Sequence, residues 1–425
     1  IIPDLEFAAT WLPIEERTTR PSRKSAMGFL CRAYIQTMEY GDHKEYAQKA
    51  LDLAKIMMAD CEANGAQYGI MMYPTLGEVF SQENNYANTE ALWKHRFVNG
   101  GSSNNAWILN ENNKLFGCPA KQFNVAMQYK KDVHKGNRYE GKTDYELWGT
   151  QYEGQFMPSK YLLDLYVQDD KSLDPRYAAY FQSTWLCNKD NGGSWSASSA
   201  LTYDKDVSSE NISYLYTNPD TGESSTKYTK FVFDEPAIRF VNPYEPDYKE
   251  VVATKDQAKM LIVDYKDVYA EDGYVSANYV RKTDGATVVN PWAYFYPSLT
   301  KFYSESFVRT NSSKLDRVGN LNATFMMRTP EVYLIAAEAD IYVNGGANAI
   351  GYINKVRERA GAKPLSGTAT IQTVLDERAR ELCGEYVRFY DLKRTKKLSK
   401  EYLTSTNPVV GQYFDDSKHT LRELP

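Results

Sequence analysis

Met326–Lys397, MMRTPEVYLIAAEADIYVNGGANAIGYINKVRERAGAKPLSGTATIQTVLDERARELCGEYVRFYDLKRTKK, is the most regular stretch of the chain and reads as three helices. Thr329 stands where an N-cap belongs, and Pro330 occupies the first helical position, where a missing N–H costs nothing. Tyr333, Leu334, Ala336, Ala337 and Ile341 form an apolar face that ends at Asn344-Gly345-Gly346, a helix stop. A second helix carries Ala349, Ile350, Ile353, Val356 and Ala360 and stops at Gly361.

These two helices make a hairpin of about 33 residues, the length of a tetratricopeptide unit. The third helix is expected over about Ile371 to Lys393. At 100° per residue, Leu375, Ala379, Leu382, Tyr386, Phe389 and Tyr390 fall on one side. Glu377, Glu381, Glu385, Arg388 and Asp391, spaced 4, 4, 3 and 3, fall on the other. A carboxylate row of this kind is an acid/base pair, a metal site or a salt-bridge ladder. The ladder is the reading adopted, because charges at i,i+3 and i,i+4 pair routinely on helices and no His or Cys completes a ligand set.

The run Glu377-Arg378-Ala379-Arg380-Glu381-Leu382-Cys383-Gly384-Glu385-Tyr386-Val387-Arg388-Phe389-Tyr390-Asp391-Leu392-Lys393-Arg394 resembles the ERxxEL…EGxRxxDLxR signature of SusD/RagB proteins, with the Gly and Glu in reversed order. Arg328-Thr329-Pro330-Glu331-Val332-Tyr333-Leu334-Ile335-Ala336-Ala337-Glu338-Ala339 and Ile353-Asn354-Lys355-Val356-Arg357-Glu358-Arg359-Ala360-Gly361 resemble two further segments of that family. Three motifs in the right order are a specific signal. The resemblance implies a mainly α, SusD-like fold formed as one domain over 1–425. Tetratricopeptide-type helix hairpins at about 1–65 and 294–400 would form its scaffold. A loop-rich, ligand-binding lobe with short strands would occupy about 66–293.

Composition narrows the function classes. Against 50 Lys and Arg stand 55 Asp and Glu, a net charge of −5 with no basic block, which argues against nucleic acid as the main partner. Cys31, Cys61, Cys118, Cys187 and Cys383 lie far apart, without the spacing of a disulfide framework or a zinc site. Aromatic residues make up 14%, and 34 residues are tyrosine, a side chain suited to wet, amphipathic surfaces. No apolar run reaches the length of a membrane span. Ile1-Ile2-Pro3 and Glu423-Leu424-Pro425 are read as trimmed ends. The resemblance implies a signal sequence, an acylated cysteine and a further N-terminal segment ahead of Ile1.

Toward the N-terminus, Ser22 to Met38 reads as a helix with Ala26, Phe29, Leu30, Ala33 and Tyr34 inward. A second, about Lys44 to Ala63, is expected to bury Ala47, Ala50, Leu51, Ala54, Ile56 and Met57. Alanines at 47, 50 and 54 permit close helix approach, so hairpins of one kind stand at both ends of the chain. Between them, Asn88-Thr89-Glu90 resembles the family's N-x-E strand start, and Trp93 after it is assigned to the core. Pro158-Ser159 resembles a helix start, Asp174-Pro175-Arg176 a D-x-R turn, and the YPSLTKF run at 296–302 the lead-in to the last helices.

Two Gly/Ser/Asn loops, 99–107 and 190–196, each carry a tryptophan, and such loops lie at the surface. Sugar recognition needs flat rings against the apolar face of a pyranose and amide or charged groups on its hydroxyls. Trp107 with Asn104 and Asn105, Trp148 with Tyr152, Trp195, and Trp292 with Asn290 and Tyr294 are the candidates, each with a buried structural role as its alternative. No GxSxG, HExxH, phosphate loop or GxGxxG occurs. The resemblance implies a non-catalytic, lipid-anchored protein of the Gram-negative outer membrane. It would capture oligo- or polysaccharide at the cell surface and deliver it to a SusC-like, TonB-dependent transporter. A peptide ligand, a glycoside hydrolase with an unrecognised acid pair, and a helix-repeat scaffold are the alternatives. No cofactor or metal is called for, and calcium is left open.

Overall fold

The protein is described by a computed structural model covering residues 1–15, 20–81, 83–95, 157–186, 213–217, 221–222, 224–228, 236–254, 260–274, 281–283, 286–288, 296–301, 307–309, 318–320 and 323–420. The chain begins with α1 (Ile2–Trp11), a helix its periodicity does not announce. Then come α2 (Arg23–Gln36), capped by a reciprocal Ser22–Ser25 box, and α3 (Lys44–Glu62). Short α4 (Leu76–Val79) precedes β1 (Ala91–His95). In the middle of the chain lie α5 (Lys160–Leu165), α6 (Pro175–Tyr180), β2 (Phe181–Gln182) and β3 (Thr184–Leu186). Five-residue strands β4 (Ser213–Thr217) and β5 (Ser224–Tyr228) pair as a hairpin. They are followed by β6 (Pro236–Val241), α7 (Tyr248–Ala253), β7 (Leu261–Asp264) and α8 (Tyr265–Val268). Two more small hairpins are β8 (Arg281–Thr283) with β9 (Ala286–Val288) and β11 (Phe307–Arg309) with β12 (Val318–Asn320), on either side of β10 (Ser298–Leu299). Strand β13 (Thr324–Arg328) runs straight into α9 (Thr329–Asn344). The chain then forms α10 (Ala349–Arg359), α11 (Ile371–Leu382), α12 (Arg388–Arg394), α13 (Lys400–Thr406), α14 (Pro408–Gly411) and α15 (Asp416–His419).

Helix α9 is the axis of the molecule. Every residue from Thr329 to Asp340 is buried, as befits a helix surrounded on all sides rather than one with a single apolar face. It packs against α3, α10 and α11, and one core unites Leu30, Ile35, Leu51 and Met57 from the N-terminal hairpin with Leu334, Ile335, Ile353 and Val356 from the C-terminal one. The expected joining of the two chain ends is therefore present. Polar groups on α9 survive burial because each is partnered: Glu331 by Arg32 and Arg378, Glu338 by Arg394, Asp340 by Asn344 and Asn348.

Several local expectations change. Arg328, not Thr329, is the N-cap of α9. Thr329 lies inside the first turn and its hydroxyl donates to the carbonyl oxygens of Met71 and Glu90. Ile56, expected inward, is half exposed, because it sits on the α3 face turned away from α2 and α9. Trp93, assigned to the core, is 38% exposed, its ring meeting Phe29 edge-on at 5.2 Å. Strand β1 pairs antiparallel with β13 through irregular register, so strict inside–outside alternation breaks down at this position.

The third C-terminal helix is not continuous over 371–393. Helix α11 ends at Leu382, Gly384 and Tyr386 take left-handed conformations (φ 78° and 60°), and α12 starts afresh at Arg388. Leu375 and Leu382 stay buried as expected, but the other assignments change. Tyr386, Phe389 and Tyr390, expected on the apolar face, are exposed, whereas Glu377, Glu381 and Asp391 are buried.

Candidate functional site

The buried charges define what this frame can and cannot do. Arg176 comes from the Asp-Pro-Arg turn, where Asp174 caps α6 and holds the Arg176 guanidinium at 3.0 and 2.7 Å. From there Arg176 reaches Glu377 at 2.7 Å and Glu381 at 3.1 Å on α11. Arg328, at the β13–α9 junction, meets Glu90 at 2.7 Å, Glu381 at 3.1 Å and Glu385 at 2.6 Å. Arg359, at the end of α10, shares Glu90 (3.1 Å) and Glu381 (2.6 Å). Arg357 and Arg380 both turn to Glu377, and Lys301, just after β10, reaches Glu385 at 2.9 Å. The Lys301 ammonium also lies 4.1 Å from the centroid of the Tyr180 ring.

Burial alone would raise the carboxylic acids, but the surrounding cations outweigh it. Arg359, Arg328 and Arg176 hold Glu381 down at about 2. Glu377 is likewise pushed well below the carboxylate range by Arg176, Arg380 and Arg357, and Glu385 is lowered by Arg328 and Lys301. A second knot lies one turn away. Glu331 accepts from Arg32 and Arg378 and is held at about 2, while Asp391 joins Arg378 at 2.7 Å and Arg394 at 2.9 Å. A general acid needs a proton to give near neutral pH, and Glu331 and Glu381, held at about 2, are ionised there. The row on the signature is thus an ionic tie. Its partners are in part the expected i,i+3 neighbours, Arg380 on Glu377 and Arg394 on Asp391, and in larger part arginines from β13, α6 and α10. Among the described residues, no group of three or more His, Cys, Asp or Glu side chains is placed to hold a metal ion.

The sequence displays each partner of this tie separately: Glu90 in the Asn-Thr-Glu run, Asp174 and Arg176 in the Asp-Pro-Arg turn, Arg328 and Arg359 in the C-terminal motifs. What it does not display is their convergence, since Glu90 and Arg328 are 238 positions apart. The ring-bearing candidates are a different matter. Asn104, Asn105, Trp107, Trp148, Tyr152, Trp195, Asn290, Trp292 and Tyr294 all lie outside the described residues.

Helix hairpins from both chain ends, tied together by buried ion pairs and joined by a middle that carries short strands, define a helical-scaffold protein. The SusD family model matches residues 89–423, and the chain belongs to that family. Among its relatives is SusD-like protein P25 of Formosa agariphila, 44% identical over 85 residues, or 18% of this chain and 16% of the relative. SusD-like protein P2 of the same organism is 30% identical over 141 residues, or 30% of this chain and 27% of the relative. The alignments thus take in less than a third of either relative. A solved structure described as a laminarin binding SusD-like protein superimposes with a TM-score of 0.51 at 18% identity, covering 99% of this chain and 64% of that one, a likeness of fold.

Proposed function

We propose that this chain is a non-catalytic, cell-surface glycan-binding protein that captures oligo- or polysaccharide and hands it to a SusC-like, TonB-dependent transporter. It would sit on the outer membrane of a Gram-negative bacterium, held by a lipid anchor. Membership of the SusD family over residues 89–423 carries this reading. The laminarin-binding relative of the same fold supports a glycan ligand. The arginine-paired carboxylates Glu377 and Glu381 on α11 support binding without hydrolysis, because they are held ionised and buried rather than poised to protonate a leaving group. Trp107 with Asn104 and Asn105, Trp148 with Tyr152, Trp195, and Trp292 with Asn290 and Tyr294 are the proposed sugar contacts. The rings supply apolar platforms and the amides supply hydrogen bonds to hydroxyl pairs. No metal is assigned to the site; calcium chelation during the titration below checks this.

The test is affinity-gel retardation and calorimetry against a panel of polysaccharides with laminarin among them, with reducing ends assayed in parallel. Retardation by at least one glycan, with no new reducing ends, is the expected result. Release of reducing ends would make the protein a hydrolase. Binding of peptides with no binding of any glycan would replace the ligand class.

A further inference from the structure

Between α5, the bend joining α11 to α12, and α13 lies an open cavity of about 370 Å³. Leu162, Phe181, Leu299, Leu382, Leu392 and Leu403 give it apolar walls. Two guanidinium groups border it. Arg378 is committed to Asp391 at 2.7 Å and Glu331 at 3.1 Å, although its Nη1 has no hydrogen-bond partner among the described residues. Arg388 is different in kind. Its Nη1 donates to the Leu375 carbonyl oxygen at 2.7 Å and its Nη2 to the Tyr402 hydroxyl at 3.1 Å, and neither partner carries charge. Asp391, the one carboxylate among the described lining residues, is already claimed by Arg378 and Arg394. Tyr386, whose φ of 60° is costly for a residue with a side chain, stands half exposed on the same lining.

We propose that this cavity binds a small molecule with one carboxylate and an apolar or aromatic body. The carboxylate pairs with Arg388, and the body lies against Leu162, Phe181 and Leu403. Three observations converge on that chemistry. The volume falls within the range of small-ligand sites, roughly 300–1,000 Å³. A half-buried guanidinium that makes no ion pair among the described residues, set beside apolar walls, favours an anionic oxygen, which it meets in a charge-assisted pair. The leucine and phenylalanine walls favour an apolar body over a sugar acid, whose several hydroxyls outnumber the polar side chains Ser159, Tyr161, Thr406 and Asn407 that face the cavity. None of the lining residues is a proposed sugar contact, and the test uses no polysaccharide, so either reading can fail without the other.

The intact chain is titrated with 3-phenylpropionate, its neutral amide and glucuronate, followed by calorimetry and saturation-transfer NMR. The acid is expected to bind about tenfold more tightly than either the amide or glucuronate. Arg388→Gln should weaken the acid about tenfold while leaving the amide unchanged. Ala379→Phe, which fills the cavity from the α11 wall, should abolish binding of both, with thermal melting confirming that each variant folds. Absence of binding by the acid at roughly 10 mM overturns the proposal, as does an amide or glucuronate affinity equal to that of the acid. Acid binding that survives Ala379→Phe overturns the location.

Discussion

Arg328 joins three parts of the chain at one guanidinium. It is fully buried and contacts Glu90 before β1, Glu381 on α11 and Glu385 in the bend. Removing one member of a buried pair leaves the others desolvated and unpaired, which typically costs about 3–5 kcal/mol. Arg328→Met should therefore lower the unfolding free energy by about that much, read from urea melts. Lys355→Met, which removes an exposed partner of Glu62 at 4.0 Å, should change it by less than about 0.5 kcal/mol. Acid provides an independent probe. Glu331 and Glu381 fall from 4.5 in the unfolded chain to about 2 in the fold, burial being outweighed by their arginines. Depressed values stabilise the fold at pH above the unfolded value, and that stability is lost as pH falls toward the folded one. Denaturation midpoints should hand back this stability between pH 4.5 and about 2, and a flat profile across that interval would contradict the burial of these pairs. The carboxylate row was legible because helix periodicity is local. Its distant cations were not, because Arg176 and Glu381 are 205 positions apart and only tertiary packing brings them together.

Helix α11 shows how one short departure from periodicity redirects a whole face. A continuous helix over 371–393 would have kept Tyr386, Phe389 and Tyr390 in register with Leu375 and Leu382. Instead the chain turns at Gly384, whose φ of 78° suits a residue without a Cβ. The turn brings Glu385 to Arg328 and Lys301 while α12 restarts with Asp391 and Arg394 inward. Helical averaging over the run cannot see such a turn, since Leu-Cys-Gly-Glu-Tyr keeps its polar residues in helical spacing on either side. Gly384→Ala should cost about 1–2 kcal/mol, the penalty for a side chain in the left-handed region. Gly351→Ala provides the contrast. It lies exposed in the first turn of α10 with nothing within 4 Å of an added Cβ, and should stabilise by about 0.5–1 kcal/mol. Equal effects at the two glycines, compared by thermal melting, would mean that the bend is not held in the conformation described.

For the molecule as a whole, the frame and the binding surface are encoded differently. Paired helices at both chain ends repeat at intervals of three and four, and their core, from Leu30 and Leu51 to Leu334 and Val356, follows from that spacing. A sugar-binding surface has no such period: its rings and amides need only converge in space, and the Gly/Ser/Asn runs holding Trp107 and Trp195 fix composition rather than position. The division of labour nevertheless makes a prediction. Side chains that grip a ligand from loops contribute little to a core built by α2, α3, α9 and α10, so truncating them should separate binding from stability. Trp107→Ala and Trp195→Ala should each melt within about 2 °C of the parent chain, because surface substitutions away from the core cost little. Each should also weaken retention in a glycan-containing gel about tenfold, since large aromatic anchors dominate interface energetics. A variant that instead melts several degrees lower, with retention unchanged, would assign that tryptophan to the packing of the lobe and move the sugar contacts to the remaining rings.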